Sequence, residues 1–146
     1  MTNTDATAHT KSATISQLTT EQLPLANKFY RQHQRGMKAS TEQQVWVTRD
    51  PEIVASLCLR NVEHCWWLTS LLVAPGARGN GRASALLQQV RQHYEGSIWL
   101  FCAPELEPLY RANGYCQSAL PPPALADRLR RYQRTKSLIA MVNSSR

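Results

Sequence analysis

The chain has no run of about 18 apolar residues, which excludes a membrane-spanning helix of ordinary length. Its opening stretch, MTNTDATAHTKSAT, lacks the apolar centre of a secretory signal. Cys58, Cys65, Cys102 and Cys116 form no C-x-x-C pair, and clustered His/Cys spacing for zinc is missing. They are expected to be reduced core thiols in a cytoplasmic chain that holds no metal. Acidic residues are scarce: 10 against 17 basic ones, for a net charge of +7. An anionic partner suits that sign, whether nucleic acid, membrane surface or phosphorylated cofactor. No internal repeat is present, and 146 residues suit a single domain with a real core. Residues 1–11 read as a flexible leader and 12–146 as that domain.

What is present is an alternation of strand and helix signals. Residues 12–18 alternate weakly and predict a first strand. Ala26, Phe29, Tyr30 and His33 fall at helical spacing, with Pro24 in the first turn. Residues 43–49 and 52–60 predict a hairpin around the turn signal Asp50-Pro51. Residues 63–73 (EHCWWLTSLLV) predict a long central strand. Ala83, Leu86, Leu87, Val90 and Tyr94 then mark one helix face, stopped by Gly96. Strands are expected at 97–102, 115–118 and 137–142. Helices are expected at 104–113 and around Leu125, Leu129 and Tyr132. The order β-α-β-β-β-α-β-α-β-α-β predicts a mixed α/β fold, one sheet covered by helices.

Between the fourth strand and the second helix lies VAPGARGNGRASALL, residues 73–87. A helix N-terminus presents unpaired N–H groups and partial positive charge. Gly79 and Gly81 permit backbone conformations closed to other residues and allow a ligand to approach closely. Arg78 and Arg82 add full charges. The combination suits phosphate or pyrophosphate. It is not a Walker A loop, because no Gly-Lys-Ser/Thr follows. It is a poor dinucleotide fingerprint, because Ser84 occupies the third glycine position and no acidic residue stands about 20 residues on, near Trp99. The plain alternative is an ordinary strand–loop–helix connection.

The series Val73, Pro75, Arg78, Gly79, Gly81, Ala83 reads V-x-P-x-x-R-G-x-G-x-A. It resembles the pyrophosphate-binding motif of the GNAT superfamily of acyl-CoA-dependent N-acyltransferases. A second stretch, Leu109-Tyr110-Arg111-Ala112-Asn113-Gly114-Tyr115, resembles that superfamily's Tyr-x-x-x-Gly-aromatic segment after the fifth strand. The β/α order agrees from about residue 12 to 118. The resemblance implies a single-domain GNAT-like fold, splayed between strands 4 and 5, and an N-acetyltransferase moving acetyl from acetyl-CoA to a primary amine.

The resemblance also implies roles. Leu71, Leu72 and Val73 would pair with the pantetheine arm. Arg78, Gly79, Asn80, Gly81, Arg82 and Ala83 would hold the pyrophosphate. The Val73 N–H would meet the charge on the thioester oxygen, and Tyr110 would be the general acid; a phenol can donate. The family's usual base, a glutamate, would stand at Trp67 here, so the base is sought nearby in Glu63, then His64, Glu105 or water. Trp46, Trp66 and Trp67 raise an aromatic acceptor pocket, although tryptophans in strands are mostly core. A homodimer is admitted by analogy with the family.

Two other readings stand beside this one. DRLRRYQRTK, residues 127–136, has the basic character of a nucleic-acid-binding stripe, or of a helix with a solvated back. The missing glutamate would also suit a CoA-binding fold without transfer activity. No recognised nucleic-acid motif accompanies the basic stretch, so nucleic acid is the disfavoured partner.

Overall fold

The computed structural model describes residues 13–144, so the expected leader at 1–11 lies outside the described residues. Among the described residues, seven strands form one sheet in the order β1-β2-β3-β4-β5-β7-β6. They are β1 (Thr14–Gln17), β2 (Gln44–Arg49), β3 (Ile53–Val62), β4 (Cys65–Val73), β5 (Ile98–Cys102), β6 (Cys116–Gln117) and β7 (Ile139–Asn143). The α-helices are α1 (Leu23–His33), α2 (Arg82–His93), α3 (Glu107–Ala112) and α4 (Pro123–Tyr132). The described chain groups into two compact units. Residues up to Cys58 with Ser70–Leu86 form the first, and Leu59–Thr69 with Leu87 onward the second. Strands β3 and β4 and helix α2 run through both.

In the first unit, Thr14↔Arg49 starts the antiparallel pairing of β1 with β2. Pro24 sits at the start of α1, where its missing N–H costs no helical bond. Ala26, Phe29 and Tyr30 recur at i, i+3 and i+4, so α1 buries one stripe. That stripe packs with Leu18, Val45, Val47, Cys58 and Leu72. Asn27 ties the following loop to α1 by bonding both the carbonyl and the amide of Ala39, at 3.1 and 2.8 Å.

In the second unit, β5 pairs antiparallel with β7 over all five of its residues, from Ile98↔Asn143 to Cys102↔Ile139. Its parallel register with β4 covers only Trp66↔Ile98 and Trp67↔Trp99. That short register is what a sheet splayed between these strands requires. Strand β7, last in sequence, lies between β5 and β6. Trp67, Trp99, Ala140 and Leu125 form the core beneath α4, with Phe101 and Leu129 beside them. Trp66 points the other way and meets Tyr94 in a tilted ring contact, centroids 4.6 Å apart, as strand alternation demands.

Arg91 of α2 is buried in this unit. Its guanidinium donates to the carbonyls of Asn143, Tyr94 and Gly96 at 2.7, 2.9 and 2.7 Å. A buried guanidinium is tolerated because these dipoles replace its water. Three cysteines are buried as expected, whereas Cys116 is exposed. It lies on β6, an edge strand of the sheet, where among the described residues no further strand pairs on the outer side.

Candidate active site

The glycine loop lies wholly within the first unit. After β4 the chain makes a 3-10 turn at Pro75–Ala77, and α2 starts at Arg82. Gly79 and Gly81 take φ of +87° and +72°, in the left-handed region where a Cβ is strained. A Cβ built at either would meet nothing within 4 Å. Conformation therefore requires these glycines, and space above them is open. The first bond into α2 runs from the Ala85 N–H to the Gly81 carbonyl, at 3.0 Å. The amides of Arg82 and Ala83 precede that bond and have no i−4 partner in the helix. Asn80 is exposed beside them.

The two arginines of the loop differ. Arg78 donates its Nε–H to the Val73 carbonyl at 3.0 Å, which closes the loop on the end of β4, and it is exposed. Arg82 pairs with Asp50 of the β2–β3 turn and is largely covered. The local pattern marks Asp50 as a turn residue and announces no partner 32 positions away.

Leu71 and Val73 are half-buried and Leu72 is buried in the first unit's core. The Ala74 N–H donates to the Val54 carbonyl on β3 at 2.8 Å. Successive amides of an extended strand point to opposite edges, so the Val73 N–H faces away from β3. That is the edge a ligand would use.

Tyr110 lies in the second unit, on α3, and is buried at 6% exposure. Burial, with the Cys102 thiol nearby, holds its proton well above the ordinary phenol range. The segment around it has a clear structural logic. Tyr115 N–H donates to the Tyr110 carbonyl at 3.1 Å, and Gly114 N–H to the Arg111 carbonyl at 3.2 Å. Those two bonds make a Schellman cap, with Gly114 at φ +93° and the Tyr110 and Tyr115 rings in edge contact at 5.9 Å. The spacing Tyr-x-x-x-Gly-aromatic is thus the spacing of a helix stop that anchors one tyrosine on another.

Glu63 and His64 sit in the β3–β4 turn, ahead of β4, with φ of +48° and +70°. The Glu63 carboxylate accepts the Ala124 N–H at 3.4 Å, at the start of α4. Carboxylates favour such ends because they complement the helix dipole. Glu105 is exposed in the 3-10 turn Pro104–Leu106. Trp67, where a carboxylate base would stand by analogy, packs on Phe101 at 5.6 Å and lies under the Arg128 guanidinium at 5.0 Å. Trp46 is buried as well. These tryptophans fill core positions.

No helix among the described residues is long and apolar enough to cross a membrane. No group of three or more metal-ligating His, Cys, Asp or Glu occurs among them.

No curated protein matches the chain significantly. Solved structures resemble it at low identity. N-acetylglutamate synthase from Neisseria gonorrhoeae, complexed with coenzyme A and N-acetyl-glutamate, aligns at TM-score 0.65 and 15% identity, over 92% of this chain and 35% of that one. This chain therefore spans about a third of the synthase's length. The ribosomal-protein-S18-alanine N-acetyltransferase from Escherichia coli aligns at TM-score 0.63 and 16% identity, over 90% and 93% of the two chains. A GNAT family acetyltransferase from Elizabethkingia anophelis with acetyl-CoA bound aligns at 0.63 and 12%, over 92% and 99%. At these identities the likeness is one of fold. The sequence profile of the acetyltransferase (GNAT) family matches residues 12–115, and on that match, with the strand order and the glycine loop in agreement, this chain belongs to the acetyltransferase (GNAT) family.

Proposed function

We propose that the chain is an N-acetyltransferase that moves the acetyl group of acetyl-CoA to a primary amine by direct attack. One observation carries the reading. Two glycines held at positive φ, with open space above them, lead directly into a helix N-terminus after β4. That arrangement suits the pyrophosphate of a CoA. The amides from Arg78 to Ala83 bind it in this reading, and Arg78 adds charge. Arg82 acts through its amide, because its side chain is paired with Asp50. The outward backbone of Leu71, Leu72 and Val73 pairs with the pantetheine arm.

The amine must be neutral to attack the thioester carbon. As the new C–N bond forms, the Val73 N–H stabilises negative charge developing on the carbonyl oxygen. The C–S bond breaks and, in the role the family resemblance gives it, Tyr110 passes its proton to the departing thiolate and takes one back from solvent as the amine's proton is released. The phenol is protonated at neutral pH, and its burial makes that proton harder to release. The amine's proton leaves through water. Glu63 is the carboxylate alternative, but its bond to the Ala124 amide favours a helix-end role.

Calorimetric titration with acetyl-CoA tests the reading, followed by an amine screen that measures CoA release. Saturable one-to-one binding with release on an amine is expected. Binding without release on any amine would leave a CoA-binding fold without transfer. A short duplex DNA at two salt concentrations runs alongside. In the basic stretch, Arg128 lies over Trp67 and Arg130 pairs with Asp127, so those cations are already engaged. Salt-sensitive DNA binding with no acetyl-CoA binding would overturn the proposal.

A further inference from the structure

Strand β4 carries an irregularity just ahead of its outward-facing residues. Ser70 has φ +60°, in the left-handed region, although it is not glycine and lies inside a strand. An L residue rarely adopts that conformation, and it persists only where its surroundings hold it. One hydrogen bond reaches this residue from α1. Tyr30 of α1 is fully buried, and its hydroxyl donates to the Ser70 carbonyl at 2.8 Å. A carbonyl only accepts, so the phenol proton goes to Ser70. The Ser56 hydroxyl on β3, 3.0 Å away, then meets the phenol oxygen as the donor. The Cys58 thiol lies 3.7 Å from the same oxygen. Burial keeps the phenol protonated far above its usual range, so the clamp does not ionise under ordinary conditions.

The consequence reaches the residues that follow. Side chains and amides alternate along a strand, and one irregular residue resets that alternation for everything after it. The Ser70 conformation therefore decides that Leu72 enters the first unit's core and that the Val73 N–H faces away from β3. If Ser70 relaxed to an extended conformation, that set would be offered to the wrong edge.

We propose that Tyr30 is a positioning residue: its hydroxyl holds Ser70 in the left-handed conformation and so presents the Leu71–Val73 backbone to the acetyl-CoA arm. The second half of this statement rests on the proposed function. The first half does not.

Tyr30→Phe removes one oxygen and keeps the ring in its core. Acetyl-CoA affinity, measured by calorimetry on the folded variant, is expected to weaken about three- to tenfold, the range of one lost hydrogen bond. Adding Ser70→Gly is expected to restore most of that affinity, because glycine takes positive φ without a clamp. A purely structural role would not give this rescue. Unchanged affinity in Tyr30→Phe, or no recovery in the double variant, overturns the proposal. Urea denaturation of the same proteins needs no ligand. The midpoint should fall in Tyr30→Phe and fall less when Ser70→Gly is already present. Equal falls in both backgrounds overturn the clamp. Should the unmodified protein fail to bind acetyl-CoA, the functional reading falls, and the urea comparison still decides the clamp. If Tyr30→Phe does not fold alone, the double variant decides: folding restored by Ser70→Gly supports the clamp, and failure to fold there too overturns it.

Discussion

The loop at 73–83 and the helix stop at 107–117 both turn the chain through glycine at positive φ, and they do so for different reasons. At Gly79 and Gly81 an added Cβ would meet open space. At Gly114 it would come within 2.8 Å of the Asn143 amide nitrogen. Asn143 donates that amide to the Asn113 carbonyl at 3.2 Å and also receives the Arg91 guanidinium at its own backbone carbonyl. The second turn is therefore filled by protein, while the first is left open. Positive φ in itself says nothing about a ligand; what occupies the space above it does.

The largest expected effect concerns the filled turn. Tyr110→Phe should lower the rate of acetyl transfer about a hundredfold with acetyl-CoA binding nearly unchanged. Pre-steady-state measurement of the chemical step checks this. An equal rate there would leave Tyr110 as no more than the residue that the cap anchors. The open turn should answer in binding instead. Gly81→Asp should weaken acetyl-CoA about tenfold or more, by strain and by placing a carboxylate among phosphates. Calorimetry on the folded variant is the measurement, and unchanged affinity would remove the loop from the cofactor site.

Alanine at each glycine separates the two turns in stability. Gly114→Ala should cost about 2–3 kcal/mol, since strain adds to a clash against a hydrogen-bonded side chain. Gly79→Ala should cost only about 1 kcal/mol, from backbone conformation alone. Urea midpoints for the two variants test the contrast directly, and equal losses would break it.

The smallest effect is a pH dependence that both units share. Burial pushes the Cys58 thiol up to about 11 in the first unit, and it raises Tyr110 and Tyr115 in the second. Groups raised on folding contribute stability that is full below the unfolded pKa and lost as pH rises. Stability should therefore hold to about pH 8.5, where unfolded thiols ionise, then fall, more steeply beyond about pH 10 as unfolded tyrosines ionise. Thermal unfolding across pH 7–11 measures this, and a stability that rises above pH 9 would contradict it.

Much of this was legible locally. The helical stripe of Ala26, Phe29 and Tyr30 needs only a 3.6-residue period, and Asp50-Pro51 announces its turn. The long strand ending at Val73 and the glycines after it are neighbours in the chain, so their order alone suggests a phosphate cradle. Illegible were the partners brought in from a distance. Asp50 on Arg82, Asn143 above Gly114 and the Tyr30 hydroxyl on Ser70 are each separated by tens of residues. Glu63 looked like strand and proved to be turn, because the hairpin needs two residues at positive φ before β4 begins. Ser70 gave no sign at all, being an ordinary polar residue beside Thr69 within an apolar strand.

By itself, then, the sequence determined the element types, their order and the glycine loop ahead of a helix. These depend on periodicity and on backbone freedom, which are properties of neighbouring residues. Tertiary structure alone decided that β7 lies between β5 and β6, that the Arg82 side chain is spent on Asp50, and that space is open above Gly81 but closed above Gly114. The physical reason is that burial, ion pairing and steric closure are set by what the fold brings into contact, and no local pattern encodes the identity of a distant partner.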